Sequence, residues 1–190
     1  VKDNYITISG GTPHAIFNGT QTLVSLLKKQ TIPAKFENIA INDYPDLLYR
    51  GMMLDIARNF TKKADLLKLI NQLAAYKINV LHFHFSDDEA WRLEIPGLEE
   101  LTAIGSRRGF TEDESQRLYP VYYGGWNPND TTATANGYYT REDFIEVLQY
   151  AAKRHITVIP EIESPGHARA AIKAMEARFN RLKGEDMEKA

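Results

Sequence analysis

The sequence predicts an α/β fold built from parallel strand-helix units, preceded by the end of a small α+β unit. Three observations lead there. From Arg50 onward, apolar runs of strand type (MMLDIA, INVLHFHF, ITVIPEIE) alternate with stretches whose apolar residues recur at helical spacing, the rhythm of βα units. Acids and histidines collect at the C-terminal ends of two of those runs. The residues before Asp43 hold too few apolar positions to form a core of their own.

Taken in order, residues 5–8 alternate and are followed by Gly10-Gly11, then by a stretch in which Leu23, Leu26 and Leu27 share a face at helical spacing. FENIAI at 36–41 reads as a strand, and Asp43-Tyr44-Pro45 marks the boundary of this first unit, residues 1–43. MMLDIA is the first strand of the repeating part. Thr61 is expected to cap a helix over 62–76, in which Leu66, Leu67, Ile70, Leu73 and Ala74 form one apolar stripe. INVLHFHF, rich in β-branched and aromatic residues, is the second strand. After a long irregular stretch, Thr140-Arg141-Glu142-Asp143 matches a capping box and opens a helix with Phe144, Val147, Leu148, Ala151 and Ala152 inward. ITVIPEIE is the third strand, Pro165-Gly166 turns the chain, and a last helix runs from about 167 to 182.

The stretch at 86–139 follows the C-terminal end of a strand, which in a parallel α/β barrel is the active-site face. Loops of such length inside a domain are usually functional. This one holds Trp91, Tyr119, Tyr122, Tyr123 and Trp126, flat surfaces that either stack on a sugar ring or pack the loop onto its own domain. In INVLHFHFSDD the period of two puts Ile78, Val80, His82 and His84 on one face and Leu81, Phe83 and Phe85 on the other. The Leu and Phe face should meet the helices, with His82 and His84 pointing the opposite way and Asp87 and Asp88 at the mouth. Thr157, Ile159, Glu161 and Glu163 share a face of the third strand, and His167 follows just beyond it. Each residue also has a structural reading: His82 as a satisfied interior histidine, Glu161 and Asp55 as partners of Arg or His groups, Asp88 as a backbone cap. As a set, acids and histidines at strand ends point to a polar ligand site.

Composition narrows the function class. A formal net charge of -2 with interleaved signs offers no broad positive field for phosphate backbones or anionic lipid, so neither nucleic acid nor membrane is expected as a partner. No apolar run approaches the roughly 20 residues that span a bilayer. The opening VKDNYITISGG lacks signal-peptide features, so an export signal is expected outside this stretch. The absence of cysteine removes disulfides, thiolate metal sites and thiol nucleophiles. Asn18, Asn59 and Asn129 each begin an Asn-x-Thr triplet, which matters only in a glycosylating host.

Three ordered strings, RGMMLDIARNF, INVLHFHFSDDEAWRLEI and GYYTREDFIEVLQYAAKRHITVIPEIESPGHARAA, resemble in order and spacing the first three βα units of family 20 β-N-acetylhexosaminidases. The resemblance covers roughly residues 49–175. It implies the N-terminal part of a (β/α)8 TIM barrel over 44–190, with 1–43 as the C-terminal part of an accessory α+β domain. It implies hydrolysis, with retention, of terminal non-reducing N-acetylglucosamine or N-acetylgalactosamine, in which the substrate's own acetamido oxygen is the nucleophile. By resemblance, Arg58 binds the outer hydroxyls of the terminal sugar, while Asp87 and His167 form the pair beneath the catalytic acid. Asn59 and Glu163 depart from the histidine and aspartate common at those positions. No metal or organic cofactor is implied. The family's Asp-Glu catalytic pair, expected after a fourth strand, is not in these 190 residues, and neither Asp88-Glu89 nor Asp113-Glu114 takes its place. The chain is therefore expected to be part of a longer, secreted or periplasmic bacterial enzyme and to be inactive alone.

Two rival readings remain at this point. A metal-dependent hydrolase on the same barrel would use His82 and His84 as a His-x-His pair. A non-catalytic carbohydrate-binding protein would need no Asp-Glu pair anywhere.

Overall fold

The computed structural model describes residues 5–30, 36, 38–119 and 132–188. Its centre is a parallel three-stranded sheet of β1 (Gly51–Asp55), β2 (Val80–His84) and β3 (Thr157–Glu161), in that order. Between β1 and β2 runs α2 (Lys63–Ala75), and between β2 and β3 runs α4 (Arg141–Ala152). The expected strand-helix alternation is therefore present. Both ladders are in simple register, so that Asp55, His84 and Glu161 lie side by side as the last row of the sheet.

The period of two holds in β2. Leu81, Phe83 and Phe85 are fully buried against Leu66, Ile70 and Leu73 of α2 and Val147 and Ala151 of α4. Phe83 and Phe85 meet at a tilt of 56° with centroids 4.5 Å apart, and Phe144 meets Phe85 edge-on at 5.0 Å, an edge-to-face arrangement that aromatic quadrupoles favour. At about 25 cal/mol per Å² of apolar surface removed from water, this layer is the principal stabilising contact of the sheet. The opposite face carries His82, His84, Asp55 and Glu161 towards the C-terminal ends of the strands, with Val80, Met53 and Ile159 before them.

Several local expectations are corrected. Helix α2 starts one residue late: Lys62 is its N-cap and makes no side-chain cap bond, while the Thr61 carbonyl accepts the Tyr139 hydroxyl. In α4 the capping box of Thr140 and Asp143 is present. Leu148 and Ala152 are exposed, because each lies one residue, about 100°, past the buried stripe of Val147 and Ala151. FENIAI forms no strand in its described residues, and Ile39 and Ile41 are about half exposed, since strand propensity takes effect only where a sheet surface receives the segment. The amphipathic stretch near the start is α1 (Pro13–Leu27), capped by Thr12. It has no fully buried residue and leaves Leu27 exposed, docking through Phe17 onto the main core and through His14, stacked 5.1 Å from His155. A cavity of about 700 Å³ between α1 and the 39–46 segment shares no lining residue with the strand ends where the acids and histidines gather.

The described parts of the long stretch after β2, residues 86–119 and 132–139, are folded down onto the protein. The stretch contains the short helix α3 (Glu100–Ala103), and its Trp91, Leu101 and Leu118 form a second core with Ala170 and Ala174 of α5 (Arg169–Glu188). Glu100 fastens the two helices through Arg178 (3.0 Å) and Arg181 (2.8 and 2.9 Å). Trp91 is thus a packing residue, its Nε1 donating to the Leu93 carbonyl, and is not available for sugar stacking. Tyr119 is half exposed. Tyr122, Tyr123, Trp126 and Asn129 lie outside the described residues. Among the described residues, no helix is long and apolar enough to cross a membrane.

Candidate active site

The three parallel strands end on the same side, and the side chains that follow them meet there. Arg58 comes three residues after β1, on a turn whose amide donates to Asp55 Oδ1 at 3.1 Å. Asp87 comes three residues after β2 and is only 2% exposed at its side chain. His167 comes six residues after β3, past a cis Ser164–Pro165 bond and Gly166, with φ +50. The structure brings all three expected site residues together. Arg58 Nη2 lies 2.7 Å from Asp87 Oδ2, and His167 Nδ1 lies 3.3 Å from Asp87 Oδ1.

Asp87 is the hub. Its Oδ2 also faces His84 Nε2 at 2.9 Å, and its Oδ1 accepts the Asp88 amide at 2.7 Å. Burial by itself pushes this carboxyl up, but the Asp88 amide, the His84 hydrogen bond and the Arg58 charge together hold it below the ordinary aspartate value. A buried carboxylate is stable only when so surrounded.

Arg58 is held in turn by three acids, each on a different nitrogen. Asp55 Oδ2 takes Nη1 at 2.8 Å, Asp87 takes Nη2, and Glu89 Oε2 takes Nε at 3.1 Å. Glu89 was not singled out in the sequence, where it reads as half of an adjacent acid pair. Asp55 has the structural role expected of it. Asp88 also caps as expected, accepting the Arg169 amide at 3.1 Å at the start of α5.

Glu161 lies against the histidines of β2 at ion-pair distance. Its Oε2 lies 2.7 Å from His82 Nε2 and 3.0 Å from His84 Nδ1. Burial raises Glu161, but His84, then Glu163 and His82, bring it below its ordinary value. His84, only 3% exposed, shows the reverse balance: burial lowers it, and Asp87, Glu161 and Asp55 raise it above the ordinary histidine value. Two groups offer three potential ligand atoms within 4.8 Å of one another, His84 with Glu161 and Glu163, and Asp87 with Asp88 and His167. His82 belongs to neither, so the His-x-His pair is not the basis of a metal site among the described residues. The Asp87 group is already balanced by the Arg58 guanidinium 2.7 Å away, which opposes a second cation there.

A buried carboxylate facing an arginine and an exposed histidine at strand C-termini is an arrangement that can bind a polyol and adjust the acidity of a neighbouring acid. Comparison with known proteins narrows it. Residues 47–190 match the family model described as glycosyl hydrolase family 20, catalytic domain. The chain is 45% identical over its whole length to beta-hexosaminidase B of Pseudoalteromonas piscicida, and 43% identical over 99% of its length to N,N'-diacetylchitobiase of Vibrio harveyi. It spans 24% and 21% of those relatives, about a quarter of their length or less. Among solved structures it is similar to an exo beta-N-acetylglucosaminidase from Vibrio harveyi in complex with N-acetylglucosamine, with a TM-score of 0.73 and 40% identity over 88% of this chain and 25% of that one. A beta-N-acetylhexosaminidase from Streptomyces coelicolor A3(2) is similar at a TM-score of 0.65 and 34% identity over 83% of this chain and 29% of that one. With the family's catalytic-domain model matching most of its length, and with the strand-end side chains assembled into one cluster, this chain belongs to glycosyl hydrolase family 20.

Proposed function

We propose that the protein of which this chain is a part removes terminal non-reducing N-acetylglucosamine or N-acetylgalactosamine from glycans, with retention, by substrate-assisted catalysis. The observation that carries the reading is the double engagement of Asp87, with Arg58 on one oxygen and His167 opposite the other. In this reading residues 44–190 are the first three βα units of a (β/α)8 TIM barrel, and residues 1–43 close an accessory α+β domain. The parallel order of the sheet and the polar side chains at its C-terminal edge support it.

Arg58 is the sugar-binding group. A guanidinium has five N–H donors, and Asp55, Asp87 and Glu89 engage one nitrogen each while 36% of the side chain stays exposed, which leaves donors for a pair of hydroxyls. Asp87 and His167 are the pair that adjusts the proton donor. A negative charge beneath a glutamic acid raises its pKa and keeps it protonated until the leaving oxygen needs the proton, and an imidazolium does the opposite. The substrate's acetamido oxygen attacks C1, a glutamate protonates the departing oxygen, and an aspartate orients the acetamido group. That acidic pair follows a fourth strand, so the 190-residue chain is inactive by itself. A glycan polymer does not cross a bilayer, which supports a secreted or periplasmic location for the whole enzyme in a bacterium.

The test is made on the full-length protein with aryl N-acetylglucosaminide and N-acetylgalactosaminide, following the first-formed anomer by proton NMR. Release of the β anomer is expected, unchanged after exhaustive chelation. Arg58→Lys is expected to lower kcat/KM by about 1.5 to 3 kcal/mol, the range for a charged hydrogen bond. First appearance of the α anomer overturns retention, and an Arg58→Lys enzyme with unchanged kcat/KM overturns the role of Arg58.

A further inference from the structure

Arg92 lies in the long loop after β2 and is fully buried. Burying a guanidinium is costly unless its hydrogen-bonding capacity is met, and here five main-chain carbonyls meet it. Nε donates to Ile56 O at 3.0 Å, Nη1 to Ser106 O and Gly137 O at 2.9 Å each, and Nη2 to Ala57 O and Ala135 O at 3.0 Å each. Those carbonyls come from three separate stretches: the tail of β1, the residue before Arg107, and the end of the long loop. A second buried arginine reinforces the first of them. Arg108 donates from Nη2 to Arg58 O at 2.7 Å and from Nη1 to Ala57 O at 3.4 Å.

The stretch so gripped is the one that carries Arg58. Past Asp55 the chain leaves the sheet after one last bond, Ile56 N to His84 O at 3.2 Å, so strand pairing does not set the direction in which residues 57 and 58 run. Carbonyls at 56, 57 and 58 accept from the two arginines, and Phe60 N donates to Thr134 O at 2.8 Å from the far end of the same loop. The Arg58 head group rests on two partly buried acids, Asp55 and Glu89, and on the buried Asp87, while the grip on its main chain sets where the side chain starts.

We propose that Arg92 is a positioning residue for substrate binding, acting through the main chain of residues 56–58 to aim the Arg58 guanidinium at the sugar hydroxyls. The inference rests on the reading of Arg58 as the sugar-binding group. It requires arginine at position 92, because a planar fork reaches five acceptors at fixed angles while lysine offers three donors from one point. Misplacement of a binding group by about 1 Å can cost on the order of 100-fold in rate.

Four forms of the full-length enzyme decide it: wild type, Arg58→Lys, Arg92→Lys and the double variant. Each is assayed on an aryl N-acetylglucosaminide below its own melting temperature, with Kd for free N-acetylglucosamine measured alongside. Arg92→Lys is expected to lower kcat/KM by roughly 10- to 100-fold, with a matching rise in Kd. The double variant is expected to be no worse than the poorer single variant within about threefold, since both changes remove the same contact. Losses that multiply overturn the action through Arg58. A lower melting temperature with kcat/KM within twofold of wild type makes Arg92 structural and overturns the proposal, while the reading of Arg58 stands. Unchanged kinetics in Arg58→Lys overturn that reading, and this inference with it. Should Arg92→Lys fail to fold, Arg108→Lys carries the same test: a loss of kcat/KM sub-additive with Arg58→Lys supports the proposal, and unchanged kinetics overturn it.

Discussion

Asp87 and His84 are two ionisable groups whose shifts act in opposite pH directions. Asp87 is held below its ordinary value, so its contribution to stability is present above the unfolded aspartate range, about 4, and is lost as pH falls through the lower folded value. His84 is held above its ordinary value, so its contribution is complete below about 6.5 and is lost as pH rises through the higher folded value. Both are present together between roughly pH 4 and 6.5. Thermal midpoints of the full-length enzyme across pH 3.5 to 9 are therefore expected to fall at both ends of that window. In Asp87→Asn both falls are expected to be shallower, because the carboxylate and the partner that raises His84 are removed together. The same substitution is expected to displace one limb of the kcat/KM profile, since it takes a charge from the site that His167 also faces. An activity profile of unchanged shape and position, with lower stability alone, makes Asp87 a purely structural residue.

At the scale of elements, the start of α4 joins local and tertiary stabilisation at one residue. Thr140 accepts the Asp143 amide at 3.0 Å, Asp143 accepts the Thr140 amide at 3.2 Å, and Asp143 also receives Lys63 of α2 at 2.6 Å, beside Glu146 at 2.7 Å. Lys63 is pushed well above its ordinary value by those two acids. Thr140→Ala removes one cap bond and is expected to cost about 1 kcal/mol. Asp143→Ala loses the reciprocal bond and the link to α2, and is expected to cost more than Thr140→Ala, by a small margin because the Lys63 pair is solvated. Urea titrations of the full-length enzyme measure both, and an Asp143→Ala variant more stable than Thr140→Ala contradicts the bridging role. The corrections to α2 and α4 belong to this scale too: a cap signature at Thr61 and an apolar residue at 148 describe what a helix permits, and the neighbouring elements decide which turn is used.

Among the described residues the sheet presents two open edges. There β1 pairs only with β2, and so does β3, while Met52, Met53, Leu47, Leu48 and Ile159 are exposed around them. Unpaired strand edges beside exposed apolar side chains favour association between chains. The 190-residue chain produced alone is expected to show no turnover of an aryl N-acetylglucosaminide and to melt broadly or aggregate. Turnover that survives repurification would falsify the proposed inactivity. A sharp, concentration-independent melt of a monomer overturns the expectation of poor folding.

The order of strands and helices, the buried face of β2 and the capping box of α4 are all legible in the sequence, because each follows from a short-range period: two along a strand, 3.6 along a helix, three across a cap. The candidate residues Arg58, Asp87 and His167 are legible as well, since strings around them carry the family's pattern. What connects them is not. Asp55, His84 and Glu161 share a row because the strands are in register, Glu89 reaches Arg58 across 31 positions of sequence, and Arg92 closes on carbonyls 35 to 45 positions away. FENIAI shows the same limit in reverse, a strand-like segment that forms no strand in its described residues. Period is a property of neighbouring residues and is written in the chain, whereas main-chain carbonyls carry no side-chain identity, so which of them a buried arginine will bind is decided only when the chain has folded.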